Sequence, residues 1–249
     1  SSTGDDEYEW SGEKFLDFRK EFSITQQELA KKTGITPGTI HHYESLIKTL
    51  APKLKINVKD RVCIDAGIST GGFTDCLLQQ GAKMVYGIDV GYGQTAWKIR
   101  KNPKVKLFER SNIRNLKPLD IYSEESLLPN FVVADLSFIS LKLVLQPINN
   151  LLSGDFIEGI FLIKPQFEVG KDRVSKGGVV RKAEYHIEAI ESVINTAEQL
   201  QWNIQGLVAS PLVGPAGNHE YLAWMSKVGM SNPCLLYTSD AADEEDSVD

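Results

Sequence analysis

Residues 61–82 combine a short apolar run, a glycine-rich turn and the beginning of a helix. The run at residues 61–64 is typical of a strand that is covered on both faces. Gly67, Gly71 and Gly72 follow it and let the backbone approach a ligand where a side chain would collide. Because amides at the start of a helix point toward such a ligand, this arrangement predicts a βα corner that holds a nucleotide-like cofactor.

The residues after this corner favour S-adenosylmethionine as the cofactor. A second apolar run, residues 84–88, ends at Asp89, and a carboxylate at that place accepts the hydroxyls of a ribose. Ser69 stands where dinucleotide enzymes carry the middle glycine that admits a pyrophosphate, so NAD is disfavoured. The predicted cofactor-binding residues are Asp65, Gly67, Ser69, Thr70, Gly71, Gly72, Phe73, Asp89 and Asn112. The alternative is a plain strand-to-helix corner without a ligand.

The rest of the chain alternates strand-like and helical patterns. Strand-like runs lie at residues 105–108, 131–135, 159–164 and 206–210, and helical spacing covers residues 141–152 and 183–201. This order predicts an α/β fold with one mostly parallel, doubly wound sheet, a Rossmann-like fold that binds ligands at the carboxyl ends of its strands.

Three polar residues close apolar runs or follow glycine turns at such strand ends: Asp135, Lys164 and Glu220. Each of them alone is more often part of a structural ion pair. Together at one sheet edge, beside a cofactor loop, they make a plausible catalytic base with its orienting partners.

Seven segments carry a family resemblance: residues 65–79, 85–94, 109–114, 135–141, 164–170, 176–181 and 210–222. They resemble the TlyA (hemolysin A) family of FtsJ-like RNA methyltransferases over about residues 56–224. The resemblance implies a class I S-adenosylmethionine-dependent methyltransferase that modifies a ribose 2′-hydroxyl of ribosomal RNA with a Lys-Asp-Lys-Glu tetrad. Asp135, Lys164 and Glu220 occupy the last three places of that tetrad.

The resemblance ends upstream of residue 56. Family members carry an S4 RNA-binding domain there, followed by a helix with the first tetrad lysine. An ungapped alignment puts Leu46 at that place, whereas Lys48 lies two residues away and Lys14 about thirty residues earlier.

Residues 11–55 instead have the pattern of two short helices joined by a tight turn. They resemble the helix-turn-helix of Cro/C1-type repressors, in which Thr36, Gly38, Thr39 and His42 would face a DNA major groove. Two other interpretations are a small helical bundle that only packs and a misjoined reading frame. The segment allows a second function, that of a DNA-binding regulator whose Rossmann-like domain senses a ligand.

The C-terminal residues of the chain are strongly acidic, and its basic residues include candidates for contact with RNA. The formal net charge of −6 disappears without residues 234–249, which hold six carboxylates and no Lys or Arg. The basic side chains expected to contact RNA phosphates, or else to form an ordinary solvated surface, are Arg110, Arg114, Lys171, Arg173, Lys176 and Arg181, with Asn112 beside them. We predict disordered tails at residues 1–10 and 231–249, the latter resembling a translated sequencing adapter.

Cysteine usage and hydropathy point to the cytoplasm. The three cysteines are widely separated, so a disulfide framework or zinc cage is not expected and a reducing compartment is the default. No apolar run reaches eighteen residues, and no membrane span is expected. The methyltransferase domain is therefore predicted at residues 56–230, with RNA and not a membrane as its partner.

Overall fold

The structure, a computed structural model, describes residues 56–214 and 216–228. The predicted helix-turn-helix, the place of the first tetrad lysine and both tails lie outside these residues. No helix within them is both long and apolar enough to cross a lipid bilayer.

One seven-stranded sheet organises the described residues. Its strands are β1 (Val62–Ala66), β2 (Met84–Ile88), β3 (Val105–Phe108), β4 (Phe131–Ala134), β5 (Phe156–Ile163), β6 (Asn203–Val213) and β7 (His219–Val228). The strand order is β3-β2-β1-β4-β5-β7-β6. The first five strands in this order are parallel, whereas β7 is antiparallel to both β5 and β6. The predicted α/β class with a mostly parallel sheet is confirmed.

Helices connect the strands and cover the sheet. They are α1 (Gly72–Gln79), α2 (Trp97–Arg100), α3 (Pro118–Ile121), α4 (Leu145–Leu151), α5 (Pro165–Glu168) and α6 (Ala183–Gln199). Short 3₁₀ turns lie at Leu141–Leu143 and Lys171–Arg173.

Two apolar clusters pack on opposite faces of the sheet, and alternate residues of each strand enter different clusters. Ile64 and Val132 belong to the cluster that includes residues of α4 and α6, whereas Cys63 and Val133 belong to the cluster that includes Phe73 of α1. A parallel strand needs apolar residues on both faces in this way. The sheet is therefore a buried central layer, and only its edges remain for chemistry.

Two elements differ from the sequence prediction. Residues 141–152 form a 3₁₀ turn and then α4, because the Ser140 hydroxyl accepts a hydrogen bond from Lys142 N and Pro147 fits only the first turn of the helix. The prediction contains no strand at 219–228, where the structure has β7. Pairing with β5 on one side and β6 on the other makes β7 an interior strand.

Candidate active site

The three predicted catalytic residues meet at one edge of the sheet. Asp135 directly follows β4 and Lys164 directly follows β5, and these strands are parallel neighbours. Since β7 runs antiparallel to β5 and Tyr221 pairs with Ile163, the start of β7 brings Glu220 to the same edge. The topology thus assembles side chains that are 29 and 56 positions apart along the chain.

Lys164 is the centre of this group. Its Nζ lies 2.6 Å from Asp135 Oδ1 and donates a hydrogen bond of 2.9 Å to Ser137 Oγ. Lys164 and Glu220 are both buried. Burial raises the pKa of Glu220 to about 7, while the nearby charge of Lys164 opposes this rise and that of Asp135 adds to it. The group therefore combines one cation with two carboxyl groups in a largely desolvated pocket.

The hairpin between β6 and β7 leaves room for the carboxyl group of Glu220. A Cβ atom at Gly214 would lie 2.7 Å from Glu220 Oε1, so glycine is required for this approach. The turn is closed by a 2.8 Å hydrogen bond from Gly214 N to Asn218 O.

The glycine-rich turn after β1 forms the neighbouring part of the same edge. Gly67 has a φ of 87°, and a Cβ atom there would lie 2.3 Å from the carbonyl oxygen of Asp135. Gly71 has a φ of 95° at the start of α1, and a Cβ atom there would meet Ile99 at 2.9 Å. Both glycines are therefore needed to bring the turn against its neighbours.

Asp89 is held rigidly at the end of β2. Its Oδ2 accepts a hydrogen bond from Ser69 N and its Oδ1 accepts one from Gly91 N, both at 2.7 Å. Each carboxylate oxygen has a second lone pair, so both remain able to accept a hydroxyl hydrogen. This is the arrangement that a ribose with two adjacent hydroxyls requires.

Asp65 lies beneath the glycine turn, almost completely buried in β1. Thr74 donates a 2.7 Å hydrogen bond to its Oδ2, and its buried Oδ1 has no hydrogen-bond partner among the described residues. Burial raises the pKa of Asp65 to about 7; the hydrogen bond from Thr74 opposes the shift, and the charges of Asp135 and Asp89 add to it.

A cleft of about 960 Å³ joins the two halves of the site. Four of the predicted cofactor-binding residues line this cleft: Gly67, Ser69, Asp89 and Asn112. The catalytic candidate Asp135 lines it as well. Arg114 and Lys171 also line it. Phe73 is placed differently, since its ring packs in the apolar cluster with Cys76 and Leu77.

The residues present fit an adenosine cofactor. Gly67 and Ser69 of the glycine turn and the oriented carboxylate of Asp89 line the cleft, and the unpartnered Oδ1 of Asp65 is buried in β1, two residues before Gly67. The two carboxylates can accept hydrogen bonds from hydroxyl and ammonium groups. Gly67 has no side chain that would block a bound molecule.

Sequence reasoning did not single out Phe138, which lines the cleft mouth with 91% of its surface exposed. It has a φ of 65°, and its ring centroid lies 5.3 Å from that of Phe167. Glu168 fixes the loop that carries Phe138, because it accepts hydrogen bonds from Ser140 Oγ at 2.5 Å and Leu141 N at 2.8 Å. The only available signal was that these aromatic residues directly follow the strand ends of Asp135 and Lys164.

The other predicted RNA contacts do not line this cleft and are at least partly solvent-accessible. Arg110, Lys176 and Arg181 are exposed, whereas Arg173 is half-buried and forms an ion pair with Glu188. The backbone of Asn112 and Arg114 forms a local turn in which Asn112 Oδ1 accepts a 3.1 Å hydrogen bond from Arg114 N.

A family model described as FtsJ-like methyltransferase matches residues 46–227. The chain belongs to this family. A second model, described as helix-turn-helix, matches residues 16–54, which the structure does not describe. The FtsJ-like match contains the whole sheet and all the site residues described above.

Relatives of this FtsJ-like chain include proteins named for rRNA methylation and for hemolysis. The chain is 48% identical over 170 residues to the 16S/23S rRNA (cytidine-2′-O)-methyltransferase TlyA of Mycobacterium tuberculosis, covering 68% of this chain and 62% of that protein. It is 37% identical to Hemolysin A of Brachyspira hyodysenteriae, with 68% of each chain covered. The match thus spans less than two thirds of the Mycobacterium tuberculosis relative.

A solved structure has the same fold. The crystal structure of a candidate hemolysin from Lactococcus lactis superposes with a TM-score of 0.70 at 41% identity, covering 78% of this chain and 88% of that one. The family that the sequence motifs indicated is therefore confirmed.

Proposed function

We propose that this FtsJ-like chain uses S-adenosylmethionine to methylate a ribose 2′-hydroxyl of ribosomal RNA. The observation that carries this proposal is the pairing of Lys164 with Asp135 at 2.6 Å, beside Glu220 and on the cleft that Asp89 also lines. Asp135 and the ribose acceptor Asp89 thus line one cleft, and the base Lys164 adjoins it through its ion pair with Asp135. The family match and the name of the Mycobacterium tuberculosis relative support the same reaction.

The cofactor residues have separate tasks in this proposal. Asp89 accepts the two ribose hydroxyls, Gly67 lets the turn approach the bound molecule, and Asp65 faces the amino acid portion. Ser69, Thr70, Gly71, Gly72 and Phe73 shape or support the turn, and Asn112 lies at the adenine end. S-adenosylmethionine, when bound, supplies the electrophilic methyl group.

Lys164 acts as the base in this mechanism. In its neutral form its Nζ would accept the proton of the 2′-hydroxyl and then release it to solvent. The hydroxyl oxygen could then bond to the methyl carbon while the bond from that carbon to the sulfonium sulfur breaks, which leaves the electron pair on sulfur. Asp135 holds the amine from one side at 2.6 Å, and Glu220 aligns the amine and the hydroxyl from the other. Ser137 fixes the third direction of the amine by accepting a hydrogen bond.

RNA fits the mouth of the cleft better than duplex DNA. The exposed ring of Phe138 offers a stacking surface to an unpaired base, and unstacked bases are the usual targets of sequence-specific RNA recognition. Arg114 and Lys171, which line the cleft, would contact phosphates together with Arg110, Arg173, Lys176 and Arg181. Ribosomal RNA as substrate would place the protein in the cytoplasm.

A DNA-binding regulator is the second candidate. Only the helix-turn-helix match at residues 16–54 favours it. The regulator does not explain why a cation and two carboxyl groups are buried together at the cleft, and we therefore favour the methyltransferase.

Calorimetric titration of S-adenosylmethionine into the full chain tests the cofactor site. We expect binding by the parent chain and at least about tenfold weaker binding by Asp89→Ala, because charge-assisted hydrogen bonds to the ribose are lost. A folded parent chain that does not bind the cofactor would contradict the proposal.

Methyl transfer to ribosomal RNA then tests the base. Lys164→Ala should abolish transfer and retain cofactor binding, while the matched variant Lys83→Ala, at an exposed position before β2, should behave like the parent. If Lys164→Ala transferred methyl groups at the parent rate, Lys164 would not be the base.

A further inference from the structure

The segment between β2 and α3 is strongly basic and carries exposed aromatic rings. Residues 90–114 contain seven Lys or Arg residues and one carboxylate, in a chain with a formal net charge of −6. Within this segment Tyr92 and Trp97 expose 66% and 68% of their surfaces. Large rings exposed together with cations are unusual on a surface that only meets water.

Tyr92 is presented by a fixed backbone. Arg110 N donates a 3.0 Å hydrogen bond to Gly91 O, which ties the loop after β2 to the end of β3. The guanidinium group of Arg110 lies 4.3 Å from the centre of the Tyr92 ring. The ring and the cation therefore form one pre-arranged unit beside Asp89, rather than a loose side chain.

Trp97 begins α2 and forms a second unit of the same kind. Lys101 Nζ lies 4.3 Å from the centre of its ring. The backbone before it is anchored to the glycine turn, because Ala96 N donates to Thr70 O at 3.0 Å and Thr95 Oγ1 donates to Ser69 O at 3.0 Å. The position of Trp97 is thus tied to the cofactor loop.

These units adjoin the cleft on one side and the sheet edge on the other. Val90, Gly91 and Gln94 of the same loop line the cleft. Lys104 and Lys106 are exposed at β3, which is the end strand of the sheet. The segment that carries the cations and rings therefore runs from the cleft to the edge strand of the sheet.

We infer that this α2–β3 surface, formed by Tyr92, Trp97, Lys98, Lys101, Lys104, Lys106 and Arg110, binds an unpaired RNA segment next to the methylated nucleotide. The inference rests on the proposed function for the nature of the partner. The cations match the phosphates, and the two ring–cation units match successive bases, since base–aromatic stacking accepts any base and is combined with a positive groove in single-strand binding. A duplex would offer its phosphates but not the faces of its bases.

Fluorescence anisotropy with a labelled single-stranded RNA of mixed sequence tests the surface on the full chain. Trp97→Ala should weaken binding about fivefold or more, which is the usual effect of removing one stacking ring. Phe156→Ala is the matched control, since Phe156 is also an exposed ring but begins β5 at the opposite end of the strands. It should bind RNA like the parent chain.

Salt dependence gives a second, independent measurement. Replacing Lys98, Lys101 and Lys104 together by Ser should reduce the slope of log affinity against log salt by about 2, since each single-strand phosphate contact contributes about 0.7. All the variants should keep the parent affinity for S-adenosylmethionine, because none of these side chains lines the cleft among the described residues.

Each outcome separates this surface from the methyltransferase site. Parent-like RNA affinity in Trp97→Ala and an unchanged salt slope would overturn the inference while leaving the reaction intact. A loss of cofactor affinity in Tyr92→Ala would also overturn it, because the ring would then belong to the cofactor site. If RNA binding weakens as expected but the parent chain transfers no methyl group, the surface is supported and the proposed reaction fails.

Discussion

At the scale of single residues, the carboxyl group of Glu220 makes the site sensitive to pH. Burial raises its pKa from 4.5 to about 7, so the group is largely protonated in mildly acidic solution. If Glu220 must be ionised to align Lys164, methyl transfer should rise as the pH increases through about 7. A pH–rate profile should show this step in the parent chain and lose it in Glu220→Gln.

The raised pKa of Glu220 also makes the stability of the folded chain depend on pH. A folded pKa above the unfolded value favours folding below about pH 4.5, and this contribution is lost as the pH rises to about 7. Glu220→Gln removes the cost of burying the charge. The melting temperature of the variant minus that of the parent should therefore be larger above pH 7 than at pH 5. An equal melting-temperature difference at both pH values would contradict the raised pKa.

Sequence could identify the catalytic candidates but not their contacts. Asp135 and Lys164 each follow a buried strand, and parallel strands bring their ends together, so their nearness was predictable. The role of Phe138 was not, because its exposure depends on a left-handed backbone conformation and on the Glu168 brace from a distant loop. The same is true of Asp89, whose orientation comes from two backbone amides.

At the scale of elements, two side chains hold the loop of residues 176–182, just before α6, against the hairpin between β6 and β7. Asn218 is buried, and its Oδ1 accepts from Val180 N at 2.9 Å while its Nδ2 donates to Gly178 O at 2.8 Å. His186 of α6 contacts the carbonyl oxygen of Val180 through Nε2 at 2.9 Å and the Tyr221 hydroxyl through Nδ1 at 3.1 Å. The loop is thus fastened to residues on either side of Glu220.

Asn218→Asp should release this loop. A carboxylate cannot donate to Gly178 O, and leaving that buried carbonyl oxygen without its hydrogen bond costs about 1–3 kcal/mol, which favours local opening. Trypsin should then cut after Lys176 or Arg181 about tenfold faster or more, which peptide mass spectrometry would detect. Asn203→Asp adds the same charge at an exposed position of β6 and should leave the cutting rate unchanged. Equal rates in both variants would show that Asn218 does not hold the loop.

The elements themselves were only partly predictable. Strand-like runs predicted β1 to β5 and part of β6, and the signal is strongest where a strand is buried on both faces and has no polar alternation, as in β1 and β4. The interior strand β7 follows a turn rich in glycine and carries His219, Glu220 and Lys227, so its composition looks less like a buried strand than its position requires. Lys227 is tolerated there because it donates to Asn149 Oδ1 at 2.8 Å and Leu200 O at 3.0 Å.

At the scale of the whole molecule, a partly buried ion pair joins the strands at the end opposite to the site. Arg61, just before β1, pairs with Glu158 of β5 and donates to Asn130 O at 2.5 Å, just before β4. Trp224 of β7 also donates to Glu158, through Nε1 at 3.2 Å. One network therefore connects segments of four strands.

Glu158→Ala should lower the free energy of unfolding by about 1.5–3 kcal/mol, because it removes the charge-assisted hydrogen bond to the partly buried Arg61 guanidinium. Urea unfolding followed by circular dichroism measures this change, with Glu191→Ala at an exposed position of α6 as the control. Binding of S-adenosylmethionine by the folded variant should match that of the parent, since the network lies away from the cleft. A loss below about 1 kcal/mol would show that the pair contributes little.

The place of β7 between β5 and β6 has a consequence for synthesis on the ribosome. Both neighbours precede β7 in the chain, so β6 has no sheet partner and β5 keeps an open edge until residues 219–228 have been made. Open edges invite pairing with other chains, so the nascent protein is most prone to aggregate just before β7 emerges. Glu220 lies at the start of that strand, and the proposed catalytic group is therefore completed only when the open edge of β5 is closed.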